Sequence, residues 1–314
     1  VNAKSFPSRR SELQNEVDIT ANSETFLDSR SDSHHRKESM HRSGLKLFDL
    51  TDLVVVITGA GGLLGQEHAL AVGRAGGTPV LLELSPGALK TASGRLNAES
   101  IPHLALEVDL TKEDQIKFVS EEVHQQYGGV WGLINNLASN PPMGVEANGS
   151  DRLETFPLAQ WDQDLKLGLT SAFLCARYFG EIMAQAGGGS IINVASDLAL
   201  IAPDHRIYID GNSPELQPPV KPVSYSVVKS GILGLTRYLS TYWSPIPIRS
   251  NALVPGSVMS TQNSSLIQQL NYRIPLARLA EHDEYHGAVV FLLSQASAYM
   301  TGANLVMDGG RTAW

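Results

Sequence analysis

From Leu53 onward the chain alternates between two hydrophobic rhythms. Short runs in which nearly every residue is apolar give way to longer stretches in which apolar residues recur every three or four positions. The run Leu53-Val54-Val55-Val56-Ile57 has no polar face, which predicts a strand buried on both sides. Glycine-rich sequence follows, then an Ala- and Leu-rich helical stretch to about Ala75. The same pattern predicts strands at Val80–Glu83, Leu104–Val108, Val130–Asn135, Ser190–Val194, 248–253 and Asn304–Met307. Helices are predicted over 86–98, 111–127, 157–186 and 223–243, and across much of 262–295. Such regular alternation gives a single α/β domain: a doubly wound parallel sheet of about seven strands with helices on both faces. Ligands of such sheets bind at the carboxyl ends of the strands. The sequence shows no internal repeat and no second folded domain.

Residues 1–44 break the rhythm. They are rich in Ser, Arg, Glu and Asp and have few periodic apolar positions, so they bury too little surface to offset ordering entropy. They read as a disordered tail or a non-native extension, with the folded domain at 45–314. Met40 stands shortly before the first strand, where such a domain could begin. No apolar run marks a secretion signal, and the acidic residues argue against a transit peptide.

Composition narrows the partners. The chain has 314 residues, 42% of them hydrophobic, and a formal net charge of −8 without a basic stripe. That excludes nucleic acid and anionic membrane as natural partners and leaves a small-molecule substrate. No apolar run approaches the ~20 residues of a membrane span. The single cysteine, Cys175, lies in the apolar run Phe173-Leu174-Cys175-Ala176. It reads as a core thiol in a reducing, cytoplasmic setting. The nine histidines show no metal-ligand spacing, so no metal is expected.

Candidate chemistry begins at Thr58-Gly59-Ala60-Gly61-Gly62-Leu63-Leu64-Gly65, between the first strand and its helix. Glycines there keep the turn tight and let backbone N–H groups approach a pyrophosphate at a helix N-terminus. Glu83 ends the second strand, placed to bind both ribose hydroxyls of an adenosine and to repel a 2′-phosphate. No Arg follows at Leu84 or Ser85 to hold such a phosphate, so NAD is favoured over NADP. Further on, Tyr225 and Lys229 stand four apart at the start of a predicted helix, hence on one face. An ammonium beside a phenol favours phenolate and brings its pKa nearer the working pH. The spacing alone also fits a plain amphipathic helix. Its place after the fifth strand of a nucleotide-binding sheet, behind Ser196, is what gives it meaning.

Taken in order, these pieces resemble the short-chain dehydrogenase/reductase family, a Rossmann-type fold, over roughly 48–314. The matching elements are the glycine loop, Asp109, Asn135-Asn136-Leu137-Ala138, Asn193-Val194-Ala195-Ser196, Tyr225 with Lys229, Ile248-Arg249-Ser250-Asn251-Ala252 leading to Pro255-Gly256, and Asp308-Gly309-Gly310. The resemblance implies an NAD(P)-dependent oxidoreductase that passes hydride between the nicotinamide and a secondary alcohol or ketone. It makes Tyr225 the general acid or base. Lys229 is its partner, which lowers the Tyr225 pKa and bonds the nicotinamide ribose, and Ser196 holds the substrate oxygen. Asp109, Leu110, Asn136 and Ala138 border the adenosine side. Pro255, Gly256, Val258 and Ser260 border the nicotinamide. Homodimers or homotetramers built on the long helices are implied too, with Ala172, Ala176, Gly231 and Gly234 small enough for close contact.

Four departures from the family pattern stand out. Leu63 takes a glycine position in the loop, a spacing shared with enzymes that modify nucleotide sugars; an epimerase or dehydratase is therefore an alternative. Gly168 replaces an Asn that completes a water-mediated proton relay to the Lys, and Leu137-Ala138 replaces Ala-Gly. These two motivate the other alternative, a catalytically weak NAD-binding protein. Finally, an insert at about 200–222 separates Ser196 from Tyr225. It is either a lid over the substrate mouth, with His205 and Arg206 meeting an anionic substrate, or a solvated loop. The insert and the C-terminal motif are similar to a subset associated with bacterial surface-glycan and flagellin modification, which implies a sugar or sugar-acid substrate.

Overall fold

A computed structural model of the chain describes residues 44–139, 151–209 and 219–314. The expected tail at 1–44 lies outside the described residues except for Gly44, which opens a short turn of helix, Gly44–Phe48. Seven strands follow: β1 (Val54–Thr58), β2 (Thr78–Glu83), β3 (Leu104–Glu107), β4 (Gly132–Asn135), β5 (Gly189–Val194), β6 (Ile248–Pro255) and β7 (Asn304–Met307). They form one parallel sheet in the order β3-β2-β1-β4-β5-β6-β7. The helices are α1 (Leu63–Arg74), α2 (Pro86–Ala98), α3 (Glu113–Tyr127), α4 (Leu158–Leu165), α5 (Ser171–Gln185), α6 (Val223–Tyr242), α7 (Ser264–Arg273) and α8 (His286–Leu293). The doubly wound α/β expectation holds. Strand order reverses between β1 and β4, which opens a crevice at their carboxyl ends.

The β-branched runs sort onto two faces with the strand period of two. Val55, Ile57, Leu81, Ile134 and Ile192 pack with α1, α2 and α8. Val56, Val80, Leu82, Leu133 and Ile191 pack with α3, α5 and α6 around the fully buried Phe179 and Met183. Cys175 is buried in this second core, and burial pushes its thiol up to about 12, so it is an inert thiol. Between β4, β5, β6 and α6 runs a buried polar ladder. Asn135 Nδ2 donates to Asn193 Oδ1 at 2.8 Å, and Asn193 Nδ2 donates to Thr236 Oγ1 at 3.0 Å and Ser250 Oγ at 3.3 Å.

Three sequence expectations change. The helix predicted over 157–186 is interrupted by a wide π turn at Lys166–Thr170, centred on Gly168. The stretch 262–295 splits into α7 and α8 because Pro275 cannot continue a helix and Ala277 takes a positive φ of 54°. Ala172 and Ala176 are buried in the chain's own core at 4% and 0% exposure, so neither can serve a contact between subunits. Among the described residues no helix is long and apolar enough to cross a membrane, and no cluster of His, Cys, Asp and Glu could hold a metal.

Candidate active site

The crevice between β1 and β4 begins with the glycine loop. Gly59 holds a φ of 61°, the left-handed region that favours glycine. At Gly65 a Cβ would lie 2.2 Å from the Gly59 carbonyl oxygen, so no larger residue lets α1 start this close to the loop. The N-cap of α1, Gly62, offers no side-chain acceptor, and the first-turn N–H groups of a helix have no intrahelical partners. A tight backbone cradle at a helix N-terminus fits a pyrophosphate, and Leu63 in the glycine position stays half-exposed rather than filling it. Leu137 does close in: its Cα would stand 3.1 Å from a Cβ at Gly59.

Glu83 borders this cradle. Its carboxylate accepts from the N–H groups of Gly61 at 3.1 Å, Leu84 at 2.9 Å and Ser85 at 3.0 Å. Ser85 then caps α2 by accepting from Ala88 N, with Pro86 in the first turn. Asp109 accepts from Thr111 N and Oγ1, which hold its carboxyl below the usual range. Leu110 is buried beneath it. Asn136 is first of all a clasp: its Nδ2 donates to the Thr58 and Gly59 carbonyls at 3.2 Å each, and its N–H donates to Thr58 Oγ1 at 3.0 Å. Beneath the loop lies His68, wholly enclosed, with neither ring nitrogen in hydrogen-bond geometry with a partner. Burial first, and the charge of His286 second, pull its pKa down to about 3, against the pull of Asn136 alongside.

Ser196, Tyr225 and Lys229 meet at the carboxyl ends of β5 and β6. Tyr225 stands in the first turn of α6 and Lys229 one turn later, its Nζ 6.0 Å from the Tyr225 ring centroid and donating to the Val194 carbonyl at 2.7 Å. Burial raises the Tyr225 pKa, and the neighbouring Ser196 hydroxyl lowers it. Burial first, then the charge of Lys221, bring Lys229 down to about 8. Desolvation thus sets the direction at Tyr225, opposite to the lowering that the resemblance assigns to Lys229. The Ser196 hydroxyl donates to Asp197 Oδ1 at 2.9 Å and accepts from Leu198 N at 3.2 Å. Pro255 ends β6. Gly256 packs against Asp308 so closely that a Cβ would lie 2.7 Å from its Cα. Val258 pairs with Ala280, and Ser260 is exposed, its N–H donating to Gln262 Oε1.

Five contributors went unread in the sequence: Asp197, Arg311, Lys221, Asp164 and Ser224. Arg311, near the chain end, donates to Asp197 Oδ2 at 2.7 Å with both side chains nearly inaccessible. Asp308 aims it there by accepting from Gly310 N and Thr312 N. Lys221 places its Nζ 4.1 Å from the Tyr225 ring centroid, and burial lowers its pKa to about 8. Asp164 and Ser224 are buried beside the pair. Only Asp197 had a local sequence signal, an acid directly after Ser196.

The insert is anchored. His205–Tyr208 form a short helical turn whose Ile207 packs in a core with Leu270, Ile274 and Leu279. Asp204 joins it to α7 through Arg273 at 2.8 Å. Arg206 is 81% exposed and paired with Asp204, and His205 accepts from Lys221 N. Both are thus paired within the insert itself, and Lys221 is the cation of the insert that reaches Tyr225. Residues 210–218 lie outside the described residues.

Comparison with known proteins covers both halves of this site. Residues 53–208 match a family model described as short chain dehydrogenase, and residues 216–312 match one described as enoyl-(acyl carrier protein) reductase. The chain is 30% identical over 272 residues to an NAD-dependent glycerol dehydrogenase of Listeria innocua, covering 85% of this chain and 96% of that one. It is also 30% identical over 278 residues to a 2-dehydro-3-deoxy-D-gluconate 5-dehydrogenase of Escherichia coli, covering 85% and 98%. A solved short-chain type dehydrogenase/reductase from Mycobacterium marinum superposes with a TM-score of 0.74 at 27% identity, covering 87% and 100%.

Proposed function

Since the chain belongs to the short-chain dehydrogenase family, whose members use NAD or NADP, we propose that it is an NAD-preferring dehydrogenase of polyols, sugars or sugar acids, with Tyr225 as its general base. The observation that carries this reading is the meeting of Ser196, Tyr225 and Lys229 at the open end of the sheet. The Ser196 hydroxyl, which donates to Asp197 in the free chain, would turn its proton to the substrate oxygen and so leave the substrate's own hydroxyl proton for Tyr225. Tyr225 takes that hydroxyl's proton, and the ammonium groups of Lys221 and Lys229, 4.1 and 6.0 Å from its ring centroid, favour the phenolate. Bound nicotinamide supplies the hydride acceptor. The cradle of Thr58, Gly59, Gly61, Gly62, Leu63, Leu64 and Gly65 would hold the pyrophosphate, and Glu83 would hold the ribose, as the basis of the NAD preference.

The substrate class follows from the relatives and from Lys221. The relatives are named for glycerol and for a deoxygluconate, and a buried ammonium beside the base suits a polyhydroxy acid. The insert favours a narrower reading, a surface-glycan sugar, which the same assay tests. Exposed Phe173 on α5 and Tyr238 and Tyr242 on α6 support a homodimer or homotetramer built on those helices. The buried, unreactive Cys175 suits a cytoplasmic setting.

The test is a panel of polyols, sugars and sugar acids with NAD and with NADP, followed by reduced-nicotinamide absorbance, with Tyr225→Phe beside the wild type. The expected result is turnover with NAD and a loss of about 10²–10⁴-fold in the variant. Equal rates for the two proteins would overturn the assignment of Tyr225.

A further inference from the structure

Each hydroxyl oxidised leaves one proton on Tyr225, and that proton must leave a buried site. Lys229 is only 5% exposed, and the partner its ammonium has in hand is the Val194 carbonyl. The family's relay Asn is replaced by Gly168, and its place is closed: a Cβ at Gly168 would lie 2.5 Å from Val228 Cγ1.

A different polar group lines the cavity that Lys229 lines. Asp164, one helical turn before Gly168, is buried at 7% exposure. It borders a small cavity whose other polar walls are Lys229, Tyr225, Ser224 and Ser139. About 10 Å³ of this cavity is open to the centre of a water molecule, room for one water and nothing larger. Ammonium, carboxylate and hydroxyls supply the two to four polar partners that a buried water needs. The carboxylate is held in position: Ser224 Oγ donates to its Oδ2, and Nε2 of Gln160 donates to its Oδ1 at 2.8 Å. Gln160 is exposed on the same face of α4, so Asp164 is the last buried group before solvent.

We propose that Asp164 takes the place of the missing Asn and is the inner end of the path by which the Tyr225 proton reaches solvent, acting through one water held between it and Lys229. The proposal rests on Tyr225 being the base. In alcohol oxidation the hydride goes to the nicotinamide and the hydroxyl proton to Tyr225. Tyr225 then passes its proton through the Lys229 ammonium and the water to the Asp164 carboxylate. Asp164 releases it at the Gln160 surface, one proton for each hydroxyl oxidised. Asp164 is thus a positioning and relay residue that acts through Lys229.

The test compares Asp164→Asn, Asp164→Ala and Ser224→Ala with the wild type by kcat against pH, KM for NAD and thermal midpoint. Asp164→Asn should lose tenfold or more in kcat near neutral pH and keep KM for NAD within about twofold. Ser224→Ala, which removes a donor from the carboxylate, should move the acid limb of kcat upward. Formate or imidazole should restore kcat to Asp164→Ala in proportion to concentration. That rescue separates Asp164 from the other titratable groups around the pair: Asp197 with Arg311, Tyr208, and Lys221 with Asp151 nearby. Wild-type kcat and pH profile in Asp164→Asn, or a loss in both Asp164 variants with no rescue and an unmoved profile in Ser224→Ala, would overturn the proposal. If Asp164→Asn does not fold, the Ser224→Ala profile alone decides. Tyr225→Phe run alongside separates the readings: an active Tyr225→Phe removes the base itself, whereas an inactive one beside an unaffected Asp164→Asn removes only the relay.

Discussion

Gly168 and Val228 occupy one space between the π turn and α6, since a Cβ at 168 would lie 2.5 Å from Val228 Cγ1. Valine in a helix has essentially one rotamer, so the methyl cannot swing aside cheaply. Gly168→Ala is therefore expected to destabilise the fold by about 1–3 kcal/mol. Val228→Ala in the same chain should recover most of that loss, so that the double variant is more stable than the sum of the single changes. Urea midpoints of the four proteins check this; additive losses would show that the two residues do not share the space.

The buried pair Asp197–Arg311 predicts a coupled loss. Arg311→Met leaves Asp197 uncompensated beside Ser196 and should cost about 3–5 kcal/mol. Adding Asp197→Asn should return much of the stability, though not the activity, because Ser196 loses the carboxylate that takes its proton. Thermal melts and kcat, measured together, separate the two effects.

Glu83 predicts cofactor choice. With Glu83→Gln the Gly61 N–H keeps an acceptor, but a 2′-phosphate no longer meets a negative charge. The ratio of kcat/KM for NAD to that for NADP is expected to fall by tenfold or more, about 1.4 kcal/mol of discrimination. An unchanged ratio would remove Glu83 from cofactor selection.

His68 predicts a pH dependence of stability. Its pKa is about 3 in the fold, against about 6.5 in an unfolded chain. Between those values the unfolded chain binds more protons, so stability is full above about pH 6.5 and falls as pH drops toward 3, by up to about 1.4 kcal/mol per pH unit. His68→Leu should flatten this slope. Chemical unfolding at pH 7.5 and pH 5 is the measurement, and parallel slopes for the two proteins would contradict it.

The fold was legible because its signals are local. β7 was read to the residue, and the uninterrupted apolar run of β1 announced a strand covered on both faces. That Tyr225 and Lys229 share one face of a helix was legible from their spacing of four. Asp164 was not, because its meaning comes from Ser224, 60 positions away, and from a cavity that only packing creates. Arg311 points at Asp197 across 114 positions for the same reason. The sequence left Arg206 open between substrate and solvent, because it shows the charge but not Asp204, which pairs with it. Small size at Ala172 and Ala176 was taken for room at a subunit contact, when it is room for the sheet beneath.

The ladder from Asn135 through Asn193 to Thr236 and Ser250 acts as a key for strand register. Asn135 stands level with Asn193 in the β4–β5 pairing. A slip of one residue turns every side chain to the wrong face, which the hydrophobic pattern alone forbids. A slip of two keeps the faces and would escape that check, but it sets Asn135 level with Ile191 or Ala195 and breaks the buried bond between the two amides, leaving the Asn193 Oδ1 without its donor. That penalty makes the misaligned sheet unprofitable during folding, and the carboxyl ends of β4, β5 and β6 arrive level, with Ser196 already abreast of Tyr225.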